Sequence, residues 1–184
     1  MCMYDLLLDP LIYPSSYSYL FIRSSLPSIL GIGPADTKEK DRGPCGYSAF
    51  PIPASQSTAE NKELYEGLFQ HKTPARLSGL GFIGKSGLFI SKEYGSKIRL
   101  ATVLTNAPFE SDNKPIESMC KGCNLCVLAC PAGAISGKEY VEGMMREEFF
   151  SAEKCSHNMK NYKDIGRGAV CGICIKVCPF NKLK

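Results

Sequence analysis

Eight cysteines between residues 120 and 178 are spaced in a way that leaves this chain few chemical options. The first group runs Cys120-x2-Cys123-x2-Cys126-x3-Cys130-Pro131, and the second runs Cys171-x2-Cys174-x3-Cys178-Pro179. Structural zinc sites draw on two Cys-x2-Cys knuckles held apart by a spacer. Here three cysteines fall within seven residues and each group ends in Cys-Pro, the run that wraps a four-iron four-sulfur (4Fe-4S) cube in ferredoxins. In that run three close thiolates hold one cluster and the fourth reaches across to a second. Aligning Cys178 with Cys130 makes Cys171 and Cys174 the second and third ligands of the second group, and Gly168 stands where the first should be. Cys155, between the groups, is the natural replacement. The expected ligand sets are therefore Cys120, Cys123, Cys126 and Cys178 for one cluster, and Cys130, Cys155, Cys171 and Cys174 for the other. Cys2 and Cys45 have no spaced partner and read as free thiols. His157 reads as a solvated or capping histidine rather than a ligand.

Composition agrees with metal rather than disulfide chemistry. Ten cysteines in 184 residues is about 5%, below the roughly 8–10% of short secreted disulfide scaffolds. No basic n-region precedes an apolar run near Met1, and no stretch approaches the roughly 20 apolar residues of a membrane-spanning helix. A cytoplasmic protein with reduced thiols and no membrane partner is the expectation. The formal charge is +4 with the cysteines counted neutral. Two oxidised clusters with their thiolates, each about −2, would cancel it. Lys154 to Lys184 carries seven basic residues against Asp164 alone, which reads as a solvated face or a surface for an acidic electron donor.

Along the chain, residues 1–45 form a poorly defined segment ending in a charged linker before Gly43-Pro44. Ser57-Thr-Ala-Glu60 has the capping-box pattern that opens a short helix carrying Leu64 and Leu68. Thr73-Pro74 predicts a second helix, stopped near Gly79. Leu88-Phe-Ile-Ser91 and Ile98 to Thr105 read as two strands of a hairpin turned at Glu93 to Lys97.

Gly79-Leu-Gly81-Phe-Ile-Gly84-Lys85-Ser86 satisfies the letters of two phosphate-binding motifs. Both need a strand before the glycines and a helix after, so that phosphate meets helix N-terminal amides. The predicted order here is the reverse, so the segment reads as a tight glycine turn that takes no nucleotide.

Several stretches resemble the epoxyqueuosine reductase family and, more closely, its short double-cluster 4Fe-4S homologues. They are Gly46-Tyr-Ser-Ala-Phe-Pro-Ile-Pro-Ala-Ser-Gln56, His71-Lys72, Gly79 to Lys85, the strand Arg99 to Thr105, and the cysteine pattern with its displaced ligand at Cys155. The likeness covers about residues 43 to 184. In that family, which shares its plan with reductive dehalogenases, two clusters pass electrons to a cobalamin that reduces a modified tRNA nucleoside. The resemblance thus implies cobalamin as a further cofactor and places Gly79, Gly81, Gly84 and Lys85 on a corrinoid-side loop. Three departures are visible. Gly46 to Gln56 lacks a carboxylate to stand for the family's proton-donor aspartate. The helical-repeat tail used on tRNA is missing after Cys178, so nucleic-acid binding is not supported. Residues 1–42 do not resemble the family's amino-terminal half, as in a truncated reductase or one with a misread start.

The expected fold is α+β: an α/β portion over residues 46–117 with a β-hairpin, followed by a two-cluster ferredoxin-type module over residues 118–184. The expected function is electron relay from a ferredoxin or flavodoxin. Two alternatives stay open: a corrinoid-dependent reductase, or a fragment of one, acting on a modified tRNA nucleoside or small molecule, and a structural or regulatory iron-sulfur module.

Overall fold

The structure is a computed structural model that describes residues 9–12, 18–23, 49–52, 65, 67, 69–105, 114–162 and 170–182. The predicted capping-box helix at Ser57 lies outside the described residues. Four strands make one antiparallel sheet: β1 (Asp9–Ile12), β2 (Ser18–Arg23), β3 (Ala49–Ile52) and β6 (Leu100–Thr105), in the order β1-β2-β6-β3. β6 is inside this sheet, with Ser18 opposite Thr105 on one side and Ala49 opposite Thr105 on the other. Its alternation explains the placement, because period-2 side chains divide between the two faces of a sheet. Leu100 and Thr102 lie on one face; Thr102 is buried, and Leu100 packs on a cluster formed by Ala75 and Phe89.

A second, two-stranded sheet pairs β4 (Gly81–Ile83) with β5 (Phe89–Ser91). It corrects the expected hairpin. β5 pairs backward with β4 rather than forward with β6, and β6 pairs with β2 and β3. The turn after β5 closes on itself, with Ser91 and Gly95 exchanging backbone hydrogen bonds of 2.9 and 3.0 Å. It is then tied away from β6, as the Ser96 N–H donates to Asn181 Oδ1 at 2.8 Å.

Before this hairpin stands α1 (Lys72–Leu77), which starts two residues earlier than Pro74 would place it. It ends as expected: Gly79 takes φ +69° just past the Ser78 cap, a conformation that costs glycine little. The element order is helix, strand, loop, strand. The glycines are thus spread over a helix stop, a strand and a hairpin loop rather than one turn, with no helix start following them.

The hairpin joins two small cores because β5 alternates. Phe89 faces Ala75, with Leu80, Ile98 and Leu100 packed around them. Ile90 turns the other way and packs with Phe82 and Cys178, flanked by Ile116, Cys120 and Phe180. Phe82 and Phe180 meet edge to face at 5.3 Å. Gly81 makes the pairing possible, since a β-carbon there would overlap the Ile90 carbonyl. Among the described residues four short helices follow: α2 (Leu125–Leu128), α3 (Arg146–Phe149), α4 (Ala152–Lys160) and α5 (Ile173–Lys176), then a 3₁₀ turn at Pro179–Lys182. Among the described residues no helix is long and apolar enough to cross a membrane.

Candidate metal centre

The two cysteine groups fold alike. In each, one turn of helix carries the middle cysteine, Cys126 in α2 and Cys174 in α5, and the chain then reaches a Cys-Pro step. The two turns pack on each other. Cys123 N–H donates to the Cys120 carbonyl at 2.8 Å, closing the loop between the first two ligand candidates. Cys130 sulfur receives the Ala134 N–H at 3.4 Å. Cys155 sits in α4, whose start is fixed by the Ser151 hydroxyl accepting the Lys154 N–H. The Ser151 N–H donates to the Ala134 carbonyl at 2.8 Å, which sets α4 beside the segment after Cys130.

The thiols influence one another electrostatically. Burial pushes the Cys126 thiol up, and Cys120, Cys123 and Cys178 push it further. Burial also raises Cys155, with Cys130 and Cys171 adding to it. Cys174 is raised to about 11, first by burial and then by Cys155, Cys171 and Cys126. Cys120 is raised chiefly by burial, against the lowering influence of the Lys85 backbone and the Ser118 side chain; Cys178 and Glu139 push it up. Crowded thiols hold their protons until a cation displaces them, which is the behaviour of a metal site whose binding releases protons. Among the described residues no three His, Cys, Asp or Glu side chains converge closely enough to hold one metal ion. A cube spreads its thiolates apart, one at each iron corner, rather than gathering them on one ion.

The glycine segment faces this module. A β-carbon at Gly84 would stand 2.5 Å from Ile90 Cδ1 and 3.4 Å from Cys120 Sγ. Lys85 is buried, and its ammonium donates to the Lys121 carbonyl at 2.6 Å and to Asn124 Oδ1 at 3.0 Å. Gly81, Gly84 and Lys85 thus make their contacts with the hairpin and the first cysteine loop, whereas the Gly79 N–H donates to the Arg76 carbonyl of α1 at 3.0 Å. His157 is exposed on α4. His71 Nδ1 stands 2.8 Å from Thr102 Oγ1, linking the start of α1 to β6. Cys2 and Cys45 lie outside the described residues. Lys85, Ser118 and Glu139 as neighbours of Cys120 were not foreseen, because no motif spacing links residues brought together by packing.

With this geometry in view, the comparisons with known proteins fall into place. The profile of the 4Fe-4S double cluster binding domain matches residues 119–181. An epoxyqueuosine reductase of Listeria monocytogenes is 28% identical over 192 residues, covering 94% of this chain and 50% of the relative. This chain is similar to the epoxyqueuosine reductases. A crystal structure of one such reductase superposes with a TM-score of 0.53 at 25% identity, over 91% of this chain and 49% of that one. A catabolic reductive dehalogenase superposes at 0.54, also at 25% identity, over 74% of this chain and 19% of its own. The chain spans about half the length of the curated epoxyqueuosine reductases it matches over nearly its whole extent. It is an iron-sulfur protein, epoxyqueuosine reductase-like, with a 4Fe-4S binding domain at residues 119–181.

Proposed function

We propose that this chain is a cytoplasmic electron relay with two 4Fe-4S clusters, one on Cys120, Cys123, Cys126 and Cys178 and the other on Cys130, Cys155, Cys171 and Cys174. The observation that carries the reading is the grouping of sulfurs: Cys126 is influenced by Cys120, Cys123 and Cys178, and Cys155 by Cys130 and Cys171. This grouping supports the two expected sets. Cys174 also feels Cys126, so the two groups are neighbours, as two centres exchanging electrons need to be. The clusters supply one-electron redox chemistry. The protein's part is to fix the thiolates, shield them and donate hydrogen bonds to sulfur, which sets potential. Phe82, Ile90, Ile116 and Phe180 exclude water around Cys120 and Cys178. The Ala134 N–H donates to the Cys130 sulfur, and the Ser118 hydroxyl accepts the Cys120 N–H. Electrons would enter from a ferredoxin or flavodoxin.

Anaerobically purified protein should carry about eight iron atoms, four per cluster. Cys155→Ser should bring that to about four. Iron near four in the parent protein, or no loss in the variant, would count against the two-cluster assignment.

A second reading is a corrinoid-dependent reductase acting on a modified tRNA nucleoside, favoured by similarity that reaches well beyond the cysteine module. The contacts of Gly81, Gly84 and Lys85 run toward Ile90 and the Cys120 loop, which supports the relay reading over a corrinoid-side loop at Gly79, Gly81, Gly84 and Lys85. The electron path is therefore drawn no further than the clusters. Corrinoid absorption retained after desalting would favour the second reading; its loss would favour the relay.

A further inference from the structure

Two cations are buried among the described residues, and they are treated differently. Arg76 meets Glu142 at 3.3 Å and lies over the Tyr140 ring. Lys85 is 5% exposed, yet the groups its ammonium reaches are neutral, a backbone carbonyl and a side-chain amide. Burying an ion without a counter-charge is costly, and neutral acceptors offset only part of the cost. An apolar residue would fill the same space more favourably, unless a negative charge belongs beside it. Where Lys85 sits identifies that charge. It follows Gly84, where a β-carbon would stand 3.4 Å from the Cys120 sulfur, and its ammonium holds the carbonyl of Lys121, the residue after Cys120. Lys121 adopts φ +43°, unusual for a side chain of its size, so the carbonyl is held where the loop is least relaxed. The same ammonium reaches Asn124, the N-cap of the helix that carries Cys126. One residue grips the first ligand loop at two points.

We propose that Lys85 is the built-in counter-charge of the cluster on Cys120, Cys123, Cys126 and Cys178, and that it raises that cluster's reduction potential while leaving the second cluster's unchanged. The proposal rests on the two-cluster reading. Reduction adds one electron from the external donor and takes the cluster with its thiolates from about −2 to about −3, with no bond made or broken. A fixed positive charge in a water-poor site favours the more negative state. Glu139 acts on Cys120 with the opposite sign, so the balance is set by placement.

The test is a potentiometric titration followed by EPR on holoprotein, comparing the parent chain with Lys85→Gln and Lys85→Arg. In Lys85→Gln one midpoint falls so that the reduced-to-oxidised ratio at fixed potential drops about tenfold, which is about 59 mV for one electron; the other midpoint stays. Lys85→Arg keeps the charge and moves neither ratio more than about threefold. Unmoved midpoints in Lys85→Gln, equal shifts of both, or an arginine variant shifted as far as the glutamine one would overturn the proposal. If Lys85→Gln loses a cluster, the arginine variant decides: a parent-like midpoint supports the role, and a lost cluster or tenfold shift overturns it. A parent chain with about four iron sinks the two-cluster reading instead, whereas about eight iron with an unmoved midpoint sinks only the role of Lys85.

Discussion

Truncating Phe82 to alanine tests whether the β4–β5 hairpin is the wall that supports the first cluster's ligands. Phe82 is fully buried, packs with Ile90 and Cys178, and meets Phe180 edge to face at 5.3 Å. Phe→Ala in a well-packed core costs about 3–5 kcal/mol, because lost burial adds to the cavity left behind. The edge-to-face pair accounts for about 0.5–1.5 kcal/mol of that. The neighbours can collapse little: β4 is pinned to β5 through Gly81, where even a β-carbon would overlap the Ile90 carbonyl. The loss should then be about 4 kcal/mol, a large share of the 5–15 kcal/mol typical of a domain. At about 2–4 °C per kcal/mol for a chain of this size, the apparent melting temperature should fall by roughly 8–16 °C. The assay is anaerobic thermal unfolding followed by circular dichroism, with the cluster absorption recorded in the same scan. Bleaching should move down with unfolding, since the cavity opens beside Cys178. A fall under about 3 °C with unchanged bleaching would refute the claim that this core supports the ligands.

Other expectations follow from particular residues. Gly81→Ala should yield little folded protein at 37 °C, measured as the soluble fraction, because the new methyl group forces β4 and β5 apart. Glu142→Gln should cost less than about 1 kcal/mol by chemical denaturation, since Glu142 is 71% exposed although Arg76 is not. Lys72 is held below its ordinary 10.5, first by burial and then by the nearby Arg146. Its folded form therefore binds fewer protons than its unfolded form in the window below 10.5, and stability should rise with pH there. Melting temperatures of the parent should gain on those of Lys72→Met as pH climbs from 8 toward 10.5; a constant difference would contradict this.

The 4Fe-4S binding domain was legible because metal geometry is written in local spacing. Three thiolates on one cube must come from a short run, and Cys-x2-Cys-x2-Cys is that run. The helix at Thr73-Pro74 and its stop at Gly79 were legible for the same reason: caps and left-handed glycines are local. The order of elements around Gly79 to Ser86, helix before and strand after, was local too. The hairpin was misassigned because partner choice in a sheet is not local. Leu88 to Ser91 has strand character, but whether it pairs backward with Gly81–Ile83 or forward with Leu100–Thr105 depends on Gly81 admitting the Ile90 carbonyl and on Asn181 drawing the next turn away. The strands at Asp9–Ile12 and Ser18–Arg23 carried too little alternation to be read. Lys85 could not be read as a buried charge, because Lys121 and Asn124 are brought to it only by the packing of the hairpin on the cysteine loop.

Mössbauer spectroscopy of 57Fe-labelled, oxygen-protected chain before and after Cys155→Ser tests the division of eight thiolates into two cubes most directly. The parent should show two 4Fe-4S centres and the variant one intact centre, with the iron on Cys120, Cys123, Cys126 and Cys178 unaltered. A single cube in the parent, or two undisturbed cubes in the variant, would contradict the account.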